Sequence, residues 1–432
     1  MKEIKVFLSL IVLTLISVNS YAATDTRWFG NGENWSNTDF WVGGLEPTSE
    51  HSCQIDGTVV VSLADEVVGK GFYVGRYSGD DSTVQIISGD LTVSDSVQTA
   101  FIGYSGKGTL EILDGTFEAT ALTILGNSSS GEGFLNIDGG SVILDGLRLG
   151  ERGFGTVTQT DGTVDADGVD YGTYDGSGGI YQISGGTLLS SWFKLGPNRF
   201  RTVDATFNIL GHNADITFTS DFSFYSPNSV FTAAAGSKIK MQGQYADFIN
   251  EMNAANQENV LGLKNLTMEF SDNSTTTYNT YEVASVDLGA SVSGYCGGNF
   301  ALNTLSVGGD TPSKVRLVDS FDNGNRGGGS ECLYVRKLIV TDGSTLSLNG
   351  LNLYYQQAEI EGTIISGTPQ EIDMLDMNDD GVVAEYELSK IAEYWLDDDC
   401  GCPDICGGAD LDTNGMVDLF DFAILGDNWL AD

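Results

Sequence analysis

Two twelve-residue stretches near the C-terminus place oxygen donors at a repeated spacing. The first is Asp376-Met377-Asn378-Asp379-Asp380-Gly381-Val382-Val383-Ala384-Glu385-Tyr386-Glu387, and the second is Asp410-Leu411-Asp412-Thr413-Asn414-Gly415-Met416-Val417-Asp418-Leu419-Phe420-Asp421. Side-chain oxygens fall at positions 1, 3, 5 and 12: Asp376, Asn378, Asp380 and Glu387, then Asp410, Asp412, Asn414 and Asp421. Gly381 and Gly415 stand at position 6, where the chain must turn sharply. Position 7 offers a backbone carbonyl from Val382 and Met416, and Asp418 at position 9 can act through water. Ca²⁺ is a hard ion that takes six to eight oxygens, and clustered carboxylates repel one another without it. The spacing therefore predicts two calcium sites, with Val383 and Val417 at position 8 placed to pair the loops. The bland alternative is a pair of acidic turns.

Around these loops the composition changes. Residues 371–432 hold 18 acids and one base, Lys390, a net charge of −17. A run this dense is often a solvated face; here the ligand spacing says more. A helix is expected after each loop, over 388–396 and 422–430, and Trp395 and Trp429 near their ends read as helix core. Six cysteines, Cys53, Cys296, Cys332, Cys400, Cys402 and Cys406, suit disulfides in an oxidising compartment. Cys296 with Cys332 is one plausible pair, and the 400–406 run can supply a small bridged loop. Three thiolates there could instead hold zinc, but no fourth ligand is close.

The elements that carry this tail repeat. Over residues 82–211 each unit pairs an alternating run with a turn: Thr109-Leu110-Glu111-Ile112 with Asp114-Gly115, Phe134-Leu135-Asn136-Ile137 with Gly139-Gly140, Thr156-Val157-Thr158-Gln159 with Asp161-Gly162, and Ile180-Tyr181-Gln182-Ile183 with Gly185-Gly186. A second glycine series, Gly103, Gly126, Gly150, Gly172 and Gly196, recurs every 22–24 residues. Alternation is a strand signal, and Gly supplies the positive φ of tight corners. One unit is too small to make a core, but stacked copies bury a continuous column. This predicts an all-β chain, a parallel right-handed β-solenoid (a pectin-lyase-like β-helix), with a small α-helical C-terminal domain. An antiparallel sandwich is the competing reading.

The expected organisation is a signal peptide at 1–22, an N-terminal cap and first coils at 23–81, regular coils at 82–211, a decorated continuation at 212–365, a linker at 366–372 and the calcium-loop domain at 373–432. Lys2, Lys5, an apolar run from Val6 to Val18 and Ser20-Tyr21-Ala22 carry the export signal. The location is then secreted or cell-surface, with no transmembrane segment after signal removal. In the cap, Trp28, Trp35 and Trp41 fit a plug over the open end of the core better than a sugar-stacking platform. Residues 244–257 read as one short amphipathic helix, with Phe248, Met252 and Ala255 on one face.

The Trp28-Phe29-Gly30-Asn31-Gly32-Glu33-Asn34-Trp35 opening and coils such as Gly155-Thr156-Val157-Thr158-Gln159-Thr160-Asp161-Gly162 resemble secreted β-solenoid repeats of the autotransporter and planctomycete type. Loop-then-helix, twice, resembles a type I dockerin. That resemblance implies calcium ligands at Asp376, Asn378, Asp380, Glu387, Asp410, Asp412, Asn414 and Asp421, and a cohesin-like partner, in a family common on secreted polysaccharide-degrading proteins. The Cys-rich connector and the Glu385-Tyr386 and Leu419-Phe420 pairs depart from the pattern, the pairs where partner-reading residues usually sit.

Net charge narrows the function classes. With 20 Lys and Arg against 60 Asp and Glu, the chain carries −40 and lacks the basic footprint that nucleic acid or an anionic bilayer requires. Two histidines, His51 and His212, restrict His-dependent chemistry, and no catalytic residues are assigned. The favoured reading is a non-catalytic exported scaffold that docks through its calcium tail. One alternative is a polysaccharide lyase or glycoside hydrolase on a β-helix, for which Arg148, Arg152, Arg199 and Arg201 form the one basic cluster of the coils. The other is a carbohydrate-binding or adhesive module displaying Tyr171, Tyr174 and Tyr181.

Overall fold

A computed structural model describes residues 25–62, 65–68, 70–94, 99–273, 276–295, 299–326, 329–372, 375, 377, 382–400, 405–411 and 415–429. The export segment expected at 1–22 lies outside the described residues. Alternating runs become strands whose odd and even positions face opposite ways. Asp81–Ile86, Lys107–Ile112, Glu132–Ile137, Phe154–Gln159, Gly178–Ile183 and Asp204–Ile209 stack in parallel, each in register with the next. The register aligns Val84, Leu110, Leu135, Val157, Tyr181 and Phe207 in one inward column, every member of it buried. Nine strands make up this first side, from Asn31–Asn34 to Val230–Ala233. The antiparallel sandwich is therefore set aside: among the described residues antiparallel pairing is confined to two isolated bridges, Trp28 with Trp41 and Ser285 with Cys332.

Two further sides complete each coil. Thr116–Leu125 is one long strand with a register break between Ala119 and Leu122. Its first half pairs with Asp90–Val93 and its second with Ala100–Ile102, so the strand bends around a corner. Ser141–Leu149, Thr163–Tyr171 and Thr187–Leu195 repeat the bend. The corner leaving the first side explains the glycine series. Gly115, Gly140, Gly162 and Gly186 have φ of 80°, 63°, 73° and 78°. A Cβ on each would lie 2.1–2.5 Å from the carbonyl oxygen of a residue in the coil before. Only glycine meets both demands at once.

Inside, the coils around residues 170–250 are filled by aromatic rings. Phe193 and Phe207 have centroids 4.4 Å apart, and Phe218 and Phe222 stack at 5.3 Å. Gln159 occupies the column of Ile137 and Ile183 yet is 1 % exposed. Its amide donates to the Thr187 carbonyl at 2.9 Å, and its Oε1 accepts the Tyr181 hydroxyl at 2.8 Å. A core polar group with both ends satisfied costs little. Tyr171 and Tyr181, expected on the outside, are fully buried; Tyr171 donates to the Thr206 carbonyl, and Tyr174 alone of the three is exposed.

Beyond Ala233 the first side gives way to other cover. The helix expected over 244–257 is not formed. Asp247–Asn250 is a strand, with Phe248 paired to Phe222 and Tyr281 in the aromatic column. The stacking partner on each side overrides the helical spacing. Helical turns begin only at Ala254–Asn265, of 3-10 type, where the Asn253 side chain caps Ala255 N–H at 2.9 Å. Parallel rungs then continue through Leu266–Phe270, Leu302–Val307, Leu333–Val340 and Leu353–Ile360. Gln370–Glu371 pairs with Tyr354 and Tyr355 as the stack ends.

At the other end Trp28, Trp35 and Trp41 are buried, with centroid separations of 5.1 and 4.9 Å to Trp41, and they plug the core as expected. Their indole N–H groups at Trp28 and Trp41 donate to the carbonyls of Thr58 and Trp35. Cys332 is a buried free thiol against the Ser285 and Val286 carbonyls, so it forms no bridge to Cys296, which lies outside the described residues. Among the described residues no helix is long and apolar enough to cross a membrane.

Candidate metal centre

Helix α1 spans Glu385–Glu393 and helix α2 spans Leu419–Asp427. Both start three residues earlier than the spacing predicted, because position 12 of each loop is also the third helical residue, whose carboxylate reaches back to the backbone N–H of the residue before the helix; in the second, Asp418 completes a capping box. Glu387 Oε2 accepts Ala384 N–H at 2.9 Å, and Asp421 Oδ2 accepts Asp418 N–H at 2.8 Å. One carboxylate oxygen thus fixes each helix start and the other is turned inward. Both acids are fully buried. Glu387 Oε1 has no hydrogen-bond partner among the described residues.

The second loop is closed from its own first position. Asp410 is 1 % exposed, and its Oδ2 accepts Gly415 N–H at 2.9 Å. Gly415 has φ of 95°, the turn that position 6 demands. Val382 and Met416 hold position 7 with their side chains outward, each 38 % exposed. Asp376, Asn378, Asp380, Asp412 and Asn414 lie outside the described residues. Among the described residues, no three His, Cys, Asp or Glu side chains converge on one point.

Whether the residues fit a cation is decided by Glu387. A fully buried carboxylate with an orphaned oxygen is costly unless a positive charge meets it. The one base of the tail is used elsewhere: Lys390 Nζ lies 2.8 Å from Glu393 Oε2. The donor set is all oxygen, so it suits Ca²⁺ and would hold it through Glu387, Asp410 and Asp421 with the carbonyls of Val382 and Met416.

Packing corrects two sequence expectations. Val383 and Val417 are buried in the small tail core with Ile391, Ala409 and Leu425. Val417 N–H donates to the Asp397 carbonyl, and its own carbonyl accepts Leu396 N–H, so position 8 of the second loop pairs with the segment after α1 rather than with Val383. Trp395 and Trp429 are 41 % and 36 % exposed, not core; Trp395 sets its ring edge-on to Phe422. The connector carries a Cys400–Cys406 disulfide with both sulfurs in the tail core, as the spacing allowed. The Leu419-Phe420 pair that the sequence singled out is on the outside, 70 % and 69 % exposed, and Tyr386 and Phe422 are exposed as well.

On the coils, the basic cluster is engaged. Arg148 holds both oxygens of Asp170 and one of Glu151, each at 2.8 Å, and these bonds keep its guanidinium firmly charged. Arg152 lies over the Tyr174 ring, Arg201 pairs with Asp175, and Arg199 covers Phe200. His212 sits in an exposed turn. A groove of about 450 Å³ runs along the bend between the second and third sides, lined by Glu118, Asp145, Asp165, Asp167, Ser191 and Thr219 among others. No protein-family model matches this sequence, and no curated protein or solved structure is significantly similar to it.

Proposed function

We propose that this chain is an exported, non-catalytic scaffold whose right-handed, pectin-lyase-like coils display a surface and whose dockerin-like, calcium-loaded tail docks it to a cohesin-like module. The repeated junction of the tail carries this reading. In both halves a buried acid caps the helix with one oxygen, and in the first half the other oxygen, on Glu387, is left for a cation. Beside that junction stand Leu419 and Phe420, an exposed apolar pair of the kind that marks protein contact. Calcium orders the loops, and the ordered loops present the apolar face. The signal-peptide pattern at 1–22 and the acidic balance suit an extracellular setting where calcium is in the millimolar range of such modules.

The test is binding of the full chain to a panel of cohesin modules with calcium and with chelator. Calcium-dependent binding, lost in Leu419→Asp without change in calcium affinity, is the expected result. Failure of every module to bind in calcium overturns the docking reading while leaving the metal sites standing. A second reading, glycan binding or cleavage, is favoured by the groove with its four carboxylates. Release of new reducing or unsaturated ends from a polysaccharide panel would decide for it.

A further inference from the structure

A second oxygen-rich site lies outside the tail, in the loop 319–331 that joins Lys314–Val318 to Leu333–Val340. This loop doubles back along the stack. Phe321 N–H reaches Glu282 Oε1 at 2.7 Å, and the Asn323 amide donates to the carbonyls of Asn250 and Met252 at 3.1 and 2.6 Å. Ala254 N–H returns to the Asn323 carbonyl, and the Asn325 amide donates to the Ala284 carbonyl at 2.7 Å. The loop is therefore pinned to two earlier coils by groups of fixed direction.

Those anchors use the nitrogen ends of both asparagines and leave their oxygens turned the other way. Asn323 Oδ1, Asn325 Oδ1 and Glu331 Oε2 are all buried with no hydrogen-bond donor among the described residues. Asn323 and Glu331 are each 1 % exposed. The groups are knitted together: Asn323 N–H donates to Glu331 Oε1 at 2.9 Å, and Glu331 N–H donates to Asp319 Oδ2 at 3.2 Å. The nearby Arg326 acts on Glu331 through its charge but makes no hydrogen bond to it among the described residues. Its Nε and Nη2 donate to Asp319 Oδ1, and Nη2 also to the carbonyls of Asp319 and Phe321. Among the described residues of this loop, three buried oxygens without a donor, one of them on a carboxyl group, are far from the usual satisfaction of buried polar groups.

We propose that loop 319–331 is a calcium site of the solenoid, formed by the Glu331 and Asp319 carboxylates with the side-chain oxygens of Asn323 and Asn325. The donors are hard oxygens with no nitrogen or sulfur among them, the preference of Ca²⁺ over a transition metal. The ion cross-links three coils, because the loop that holds it is tied to residues 250–254 and 282–284. The site is independent of the tail reading and stands whether or not the tail binds metal.

The experiment counts calcium bound per full-length chain by flow dialysis at neutral pH, for wild type, Glu331→Gln and Glu387→Gln. Glu331→Gln is expected to bind one calcium fewer than wild type, with the tail sites titrating unchanged, and amides of 319–331 to lose calcium-dependent protection from hydrogen exchange. Equal counts for wild type and Glu331→Gln overturn the proposal and leave the orphaned oxygens to a shared proton or buried water. Should Glu331→Gln lose protection throughout the coils, Asn325→Ala decides: it removes one neutral ligand at a half-buried position and is expected to weaken this site at least tenfold. An unchanged affinity in Asn325→Ala overturns the proposal equally.

Discussion

Replacing Glu387 by Gln tests the calcium site proposed for the first loop. The substitution keeps an oxygen to accept Ala384 N–H, so the bond that starts α1 survives. It removes the charge from a side chain that is fully buried and whose second oxygen has no other partner. Loss of one member of a buried ionic contact costs about 3–5 kcal/mol. At about 1.4 kcal/mol per factor of ten, affinity at the first loop should fall at least 100-fold. Asp421 caps α2 independently, so the second loop should keep its affinity. A site with Kd on the order of 10 µM gains roughly 2.7 kcal/mol of stability in 1 mM calcium, nearly all of which the variant forfeits. For so small a unit this lowers the calcium-induced rise in Tm by roughly 10 °C. Calorimetric titration of the full chain reads the affinities, and thermal unfolding with and without chelator reads the linkage. Two affinities within threefold of wild type in Glu387→Gln would refute the assignment of that buried oxygen to a cation.

Two further expectations concern the coils. Tyr181→Phe strands Gln159 Oε1 without a donor and should cost about 1–3 kcal/mol, whereas Tyr181→Phe with Gln159→Leu should recover at least about 1 kcal/mol of the summed single costs. Urea unfolding of the four proteins measures this, and strictly additive losses would mean that the two rungs are not neighbours. Asp247 contributes one part of the pH dependence: burial first, then the facing Asp221 in the preceding rung, raises its pKa above the ordinary carboxylate value against the bonds from Thr280. A carboxyl whose folded pKa exceeds its unfolded one holds its proton more tightly when folded, so stability declines as pH rises from about 4 through the folded value. Asp247→Asn keeps the acceptor for Thr280 N–H and should flatten the Tm-against-pH curve there; an unchanged slope would assign the titration to another group.

Much of this was legible because the regular coils obey a period of two. Val84, Leu110 and Leu135 announce their column by alternation alone, and Gly115, Gly140 and Gly162 mark corners that only glycine can turn. The failures share one cause, a partner remote in sequence. Gln159 looks polar and outward until Tyr181, in the next rung, supplies its donor. Phe248, Met252 and Ala255 have helical spacing, but Phe222 and Tyr281 claim Phe248 for a strand. The loop 319–331 reads as ordinary Asp-Asn-Gly turn chemistry, because its anchors lie 39 to 73 residues earlier. Five of the ten expected calcium ligands fall outside the described residues, so the tail site rests on the five that remain.

The distribution of acid separates the two halves of the molecule by what each needs to fold. Residues 1–370 carry 42 acids and 19 bases; the remaining 62 residues carry 18 and one. On the long-strand coils, register sets most acids beside a neutral or basic neighbour. Asp81 faces Lys107, Gln85 faces Glu111, and Asp170 lies between Arg148 and Lys194. Repulsion there is relieved by the neighbouring rung, and the apolar columns behind it supply the stability. Among its described residues the tail has a buried cluster of eight apolar side chains, and it has no base to spare, yet it fully buries Glu387 and Asp421. Such a unit has little of either compensation that the coils possess; the Cys400–Cys406 link supplies part of its cohesion, and the proposed calcium sites would supply the rest. Chelator should accordingly unfold residues 371–432 while the coils remain folded, and hydrogen exchange on the full chain separates the two.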